Sequence, residues 1–178
     1  MMREKKNGII QMYYDVANIK LHSKHFIFNG RKEGECKHYH ENRQISVIYN
    51  YKNNNFEGEC KLYYTNGQLL SIFNYKDGKK EGKYISYYEN GQLEGIFNYK
   101  NNKREGECKS YYGNGKIYRI DYYKNGKKEG ERKEYHKNGQ LSVTCNYKND
   151  IREGEYKSYY ENGQLREIYN YIDGYRID

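Results

Sequence analysis

The chain contains no proline in 178 residues. Proline cannot donate to a ladder and is confined to sheet edges and bulges, so its absence fits uninterrupted strands. Leu, Ile, Val and Phe together supply only 30 of the 178 residues, beside 31% charged residues. That balance taken alone describes a chain too polar to bury a core. No window approaches the roughly 18 apolar residues of a membrane-spanning helix. The opening MMREKKNGII lacks the apolar stretch of a signal peptide, so the expectation is a soluble, intracellular protein, cytoplasmic in a cell. Four cysteines occur without paired Cys-x-x-Cys spacing, and no His-x-x-x-His is present, which argues against a disulfide framework and a metal centre.

What the chain has instead is tyrosine, 25 of them, in strict columns. The pairs Glu33-Gly34, Glu57-Gly58, Glu81-Gly82, Glu105-Gly106, Glu129-Gly130 and Glu153-Gly154 recur every 24 residues. A fixed period of this size marks a repeat array, whose units bury their apolar faces against neighbours. Residues 34–178 hold six tandem units, and residues 1–33 read as a degenerate repeat that caps the stack. Five positions after each glycine stands Tyr39, Tyr63, Tyr87, Tyr111, Tyr135 or Tyr159, followed by a second Tyr or His. A third column runs Tyr51, Tyr75, Tyr99, Tyr123, Tyr147 and Tyr171. Tyrosine brings apolar area and strand preference, which outweighs the tendency to disorder that the scarcity of aliphatic residues implies.

Between these columns lie Asn-Gly, as at Asn66-Gly67, and a second turn such as Asp77-Gly78, Asn101-Asn102 or Asn149-Asp150. Asn, Asp and Gly accept the positive φ of tight hairpins, so each unit reads as two strands and two turns. A two-residue turn at Asn66-Gly67 would set Tyr64 opposite Leu69, Tyr63 opposite Leu70, Leu62 opposite Ser71, Cys60 opposite Phe73 and Gly58 opposite Tyr75. The expected fold is all-β, an elongated antiparallel β-meander of 24-residue hairpin repeats.

Cys36, Cys60 and Cys108 share one column, and Cys145 stands where Phe73 and Phe97 stand, so all four read as buried thiols. A metal site from His22, His25, Cys36, His38 and His40 has proximity in sequence but no ligand spacing; His40 and His136 read as substitutes for tyrosine. The column Glu57, Glu81, Glu105, Glu129 and Glu153 reads as a solvated stripe paired with nearby lysines. No serine, histidine or acidic residue departs from the repeat as a unique catalytic group would, and no catalytic residue, cofactor or small-molecule substrate is expected. The second turns align a basic strip that includes Lys79, Lys80, Lys103, Arg104, Lys127, Lys128 and Arg152, in a chain of net charge +8. Such a strip suits an anionic membrane; nucleic acid is disfavoured, because the tyrosines are needed for ladders.

The tyrosine pair, the Asn-Gly-Gln-Leu turn, the Asn-Tyr-Lys-Asn-Gly-Lys turn and the Glu-Gly pair resemble the bacterial-type variant of the MORN repeat over nearly the whole chain. The resemblance implies a β-meander without catalytic activity, used for binding or scaffolding. It also implies links to acidic phospholipid membranes and to protein assembly, with some variant-type relatives labelled antitoxins. The function expected first is that of a non-enzymatic protein-interaction or scaffolding module. Its face carries Tyr63, Ile72, Tyr87, Ile96, Tyr111, Ile120, Tyr135 and Tyr159, and it meets a protein partner or a second copy of itself. The alternatives are a peripheral adaptor for anionic membranes and an antitoxin-like neutraliser of a partner protein.

Overall fold

A computed structural model describes residues 8–13 and 21–177, with side chains from residue 26 onward. The described residues form strands and turns and no helix. They divide into two units, residues 1–82 with 89–91, and residues 83–88 with 92–178. In the first unit the strands are β1 (Gly8–Tyr13), β2 (Leu21–Phe28), β3 (Arg31–Tyr39), β4 (Ile45–Lys52), β5 (Asn55–Phe56), β6 (Gly58–Tyr63) and β7 (Leu69–Lys76). β1 pairs antiparallel with β2, β2 with β3, β3 with β4 and β6 with β7, while β4 also pairs with both β5 and β6. Strand β8 (Lys79–Tyr87) begins in the first unit and ends in the second.

The second unit continues with β9 (Leu93–Lys100), β10 (Lys103–Arg104), β11 (Gly106–Tyr111), β12 (Ile117–Lys124), β13 (Lys127–Lys128) and β14 (Gly130–Tyr135). It closes with β15 (Leu141–Lys148), β16 (Ile151–Tyr159), β17 (Leu165–Ile172) and β18 (Tyr175–Ile177). The pairing is again an antiparallel meander, with β9 joined to β10 and β11, and β12 to β13 and β14.

The two turns of a repeat differ. At the second, Asp77 (φ 49°) and Gly78 (φ 75°) are both left-handed, as are Asn53 with Asn54, Asn101 with Asn102 and Asn149 with Asp150. These are two-residue turns whose twist matches the flanking strands, and Asn or Asp substitutes for Gly there. The first turn departs from the expected two-residue form. The Tyr64 N–H donates to Gln68 O (2.8 Å) and the Gly67 N–H to Tyr64 O (2.9 Å), enclosing a three-residue loop. Only Gly67 (φ 85°) is left-handed in it, the signature of a type I turn closed by glycine.

An odd loop shifts the register by one residue. Tyr63 therefore faces Leu69, not Leu70, and the expected pairing of Tyr64 with Leu69 does not form. A bulge then restores Leu62 to Ser71, Cys60 to Phe73 and Gly58 to Tyr75. The asparagine side chain closes a local turn within this loop, Asn66 Oδ1 accepting the Gln68 N–H (2.9 Å).

Three kinds of hydrogen bond tie repeats to the ones that follow within each unit. Tyr88 Oη donates to Tyr111 O (2.6 Å) and Tyr112 Oη to Tyr135 O (2.7 Å); His40 Nε2 meets Tyr63 O (2.9 Å) and His136 Nε2 meets Tyr159 O (2.8 Å). The two histidines thus make the tyrosine contact. The asparagine amide reaches forward too, as from Asn138 to Glu161 O (2.8 Å). The third tie overturns the reading of the glutamate column as lysine-paired. Glu57, Glu105, Glu129 and Glu153 accept the backbone N–H of Asp77 (2.9 Å), Asn125 (2.7 Å), Asn149 (2.9 Å) and Asp173 (3.0 Å) in the following second turn. A tight turn leaves that donor unsatisfied, and a carboxylate is the stronger acceptor for it.

The core is thin and lies on one face of the strands. Its most buried apolar residues are Cys36, Cys60, Phe73, Cys108, Cys145 and Tyr147. All four cysteines are free. Burial pushes their thiols up in pKa, that of Cys60 to about 11.

Candidate functional site

Strand alternation divides the basic strip into two columns that face opposite ways. Lys79, Lys103 and Lys127 are exposed, whereas Lys80, Arg104, Lys128 and Arg152 are half-buried and turn onto the core face. There they alternate with the third tyrosine column, since Arg104 pairs with Tyr99, Lys128 with Tyr123, Arg152 with Tyr147 and Arg176 with Tyr171. Arg104 lies 4.8 Å from the Phe97 ring centre and 5.2 Å from that of Tyr123, Lys128 lies 5.1 Å from Tyr147, and Arg152 lies 5.3 Å from Tyr171. The guanidiniums also donate to phenol oxygens, Arg104 to Tyr123 (3.1 Å) and Arg152 to Tyr171 (2.8 Å). Each such contact contributes about 0.5–2 kcal/mol. In the first unit Lys32 sits 5.0 Å from the Tyr51 ring, Phe56 stacks between Tyr51 and Tyr75, and Lys80 covers Phe73 at 4.7 Å. Four of the seven residues of the basic strip therefore work as structural cross-links. Lys128 shows the cost of that position: burial, then the nearby Arg132, push its pKa below the usual lysine range.

The outward column is unpaired. Lys100 faces Lys103, and Lys124 faces Lys127, as cross-strand partners beside their turns. Like charges directly opposite are destabilising. Among the described residues no ion pair forms to Lys79, Lys100, Lys103, Lys124 or Lys127.

The opposite face carries five Glu–Lys pairs, and Lys83 stands exposed in the glutamate column of the remaining repeat. Lys37 pairs with Glu35, Lys61 with Glu59, Lys109 with Glu107, Lys133 with Glu131 and Lys157 with Glu155, at 2.5 to 2.9 Å. Each lysine is pushed up in pKa by its glutamate. Beside these pairs stand half-buried Ile72, Ile96 and Ile120 and the tyrosines Tyr63, Tyr87, Tyr111, Tyr135 and Tyr159. Tyr122 departs from the asparagine column of Asn74 and Asn98; it is 41% exposed, and its hydroxyl donates to Glu107 (3.1 Å).

Two charged residues of the second unit replace core residues of their columns. Asp121 occupies the column of Phe73 and Phe97, and Arg132 that of Cys60 and Cys108. Both are buried on the core face, where Arg132 Nε donates to Asp121 Oδ1 (2.7 Å). Arg119 Nε approaches Asp121 Oδ2 (2.8 Å), and Arg132 reaches Glu134 (3.4 Å) and the Tyr147 ring (4.9 Å). Two cations against two carboxylates leave no net charge, and both oxygens of Asp121 are occupied, so the cluster is an ion lock between β12 and β14. Of the histidine and cysteine set, His22 and His25 lie outside the residues whose side chains are described. His38 Nε2 lies 3.7 Å from Cys36 Sγ and 2.7 Å from Tyr49 Oη. No group of three or more His, Cys, Asp or Glu suited to a metal ion is found among the described residues.

These features define a class: a tandem β-hairpin array that presents repeated side-chain columns on its faces and turns. The chain belongs to the MORN repeat variant family, which matches residues 32–53, 56–77, 80–101, 104–125, 128–149 and 152–173. MORN repeats are generally non-enzymatic modules for interaction with proteins or membranes. No curated protein matches the chain. Among solved structures, the crystal structure of TcdB2-TccC3-Cdc42 is similar at 13% identity and a TM-score of 0.19, covering 92% of this chain. The chain spans 12% of the length of that one.

Proposed function

We propose that this chain is a non-enzymatic interaction module and that a partner protein docks on the isoleucine and tyrosine face. One observation carries the reading: in five of the repeats a lysine and a glutamate of that face neutralise each other within their own strand, and Ile72, Ile96 and Ile120 stand half-buried on the same face. The core face is already engaged by rings, thiols and cations, so it has less to offer a partner. A low-field apolar stripe with tyrosine neighbours has the composition of an interface centre. A second copy is the less suitable occupant, because it would bring together two chains of net charge +8. A toxin-neutralising role would be this same reading with the partner specified.

The test is capture by cross-linking in the source cell, comparing the native chain with Ile72→Lys, Ile96→Lys and Ile120→Lys combined and checked for retained strand content. Loss of one reproducible partner in the folded variant is expected; undiminished capture would overturn the reading.

The unpaired Lys100, Lys103, Lys124 and Lys127 favour a second reading, contact with an anionic membrane at the turn edge. Each lysine near such a surface contributes about 1 kcal/mol. Co-sedimentation with anionic but not neutral vesicles, lost on changing Lys79, Lys103 and Lys127 to Glu, is the expected outcome. Absence of sedimentation at low salt would remove this reading.

A further inference from the structure

We propose that the asparagines of the first turns are sites of spontaneous deamidation, and that the reaction uncouples a repeat from the one that follows it. Asn66, Asn114, Asn138 and Asn162 are each exposed and each precede a glycine. Glycine leaves its backbone nitrogen unshielded toward the asparagine side chain. That nitrogen attacks Cγ: the N–Cγ bond forms, the Cγ–Nδ2 bond breaks, and ammonia departs with the proton lost from the glycine nitrogen. Water then opens the cyclic imide to aspartate or isoaspartate. No oxidant or cofactor is involved.

The folded turn holds every group that must move. The Gly67, Gly115, Gly139 and Gly163 N–H groups donate to Tyr64, Tyr112, His136 and Tyr160 carbonyls at 2.8 to 2.9 Å. The Asn66 and Asn138 Oδ1 atoms accept the N–H two residues on, each at 2.9 Å. The Nδ2 groups donate into the next repeat: Asn66 to Glu89 O (3.4 Å), Asn114 to Lys137 O (3.3 Å) and Asn138 to Glu161 O (2.8 Å). The Asn162 amide donates within its own turn, to Gln164 Oε1 (3.2 Å). Reaction therefore requires local opening, and its rate should follow the strength of these ties. Its product replaces an N–H donor by a carboxylate oxygen facing a carbonyl, so the tie becomes a repulsion.

Two positions serve as internal controls. Asn42 makes the same forward bond, to Thr65 O (2.7 Å), but is followed by Arg43, whose side chain shields the attacking nitrogen. Asn125-Gly126 lies in the second turn, at the place where Asp77 stands in another repeat, so its conversion yields a residue already accepted there.

The experiment is peptide mapping by mass spectrometry of the full chain held at neutral pH, folded and in urea. In urea all Asn-Gly pairs are expected to convert well before Asn42. In the folded chain the first-turn sites should be slower by at least about tenfold, with Asn162 first and Asn138 last. Equal folded and unfolded rates, or Asn138 converting with Asn162, would overturn the protection argument. Hydrogen exchange of Asn66→Asp, Asn114→Asp and Asn138→Asp then tests uncoupling, with Asn125→Asp as reference. Faster exchange in the following repeat, several-fold and absent from the reference, is expected; unchanged exchange in all four variants would overturn the uncoupling.

Discussion

The ion lock of the second unit makes the sharpest prediction, through the substitution Asp121→Phe. Phenylalanine is what Phe73 and Phe97 place in that column, so the shape suits the face. The charge does not. Arg132, with its side chain 11% exposed, loses its 2.7 Å bond and cannot rehydrate. Removing one partner of a buried pair costs about 3–5 kcal/mol. Glu134 at 3.4 Å and the Tyr147 ring at 4.9 Å remain as partial compensation and place the loss near the lower end, about 3 kcal/mol. Arg119, 31% exposed at its side chain, reaches water and adds less than about 1 kcal/mol. The fourfold exchange of Arg119, Asp121, Arg132 and Glu134 for the residues of the second repeat, Ser71, Phe73, Cys60 and Leu62, removes every charge together. It should be neutral or stabilising by about 1–4 kcal/mol, as apolar replacement of buried ion pairs commonly is. The assay is urea unfolding at pH 7 with hydrogen exchange of β12 and β14 as the local readout. A loss of about 3 kcal/mol raises the opening constant of that junction about two orders of magnitude. A single substitution tolerated within about 1 kcal/mol, or a fourfold exchange as damaging as the single one, would refute the reasoning.

Three further outcomes are expected. Tyr112→Phe deletes the hydroxyl bonded to Tyr135 O and should cost about 1 kcal/mol in thermal denaturation, whereas His136→Tyr should stay within about 0.5 kcal/mol, since tyrosine makes that contact elsewhere. Arg43 holds φ 69° where other first turns place glycine, so Arg43→Gly should raise stability by about 1 kcal/mol; a loss would show that the arginine side chain stabilises the turn. The Cys60 thiol is raised in the fold, so its stabilising contribution is complete below the ordinary thiol range and lost as pH rises through about 11. Stability should fall by about 2–3 kcal/mol over that alkaline window, and Cys60→Ala should flatten the slope relative to the native chain.

The period, the hairpins, the second-turn chemistry and the pairing of Gly58 with Tyr75 are legible in the chain because each depends on residue type at a fixed local spacing. The chain by itself also determines that His40 and His136 occupy a tyrosine column, and that residues 121 and 132 break theirs. That the two breaks form a pair is not legible, because the positions belong to different columns and meet only when β12 lies beside β14. The first turn defeats a reading by residue type because Asn-Gly suits both a two-residue and a three-residue loop, and only the backbone hydrogen bonds of Tyr64 and Gly67 distinguish them. Lys79 and Lys80 look alike along the chain, yet strand alternation sends one to water and the other onto the Phe73 ring. The glutamate column likewise acquires its partner, a turn N–H 20 residues on, only once consecutive hairpins lie side by side. Local geometry is encoded residue by residue; which cation is free, which carboxylate is occupied and which asparagine bridges two repeats are properties of distance between strands, and tertiary structure alone supplies them.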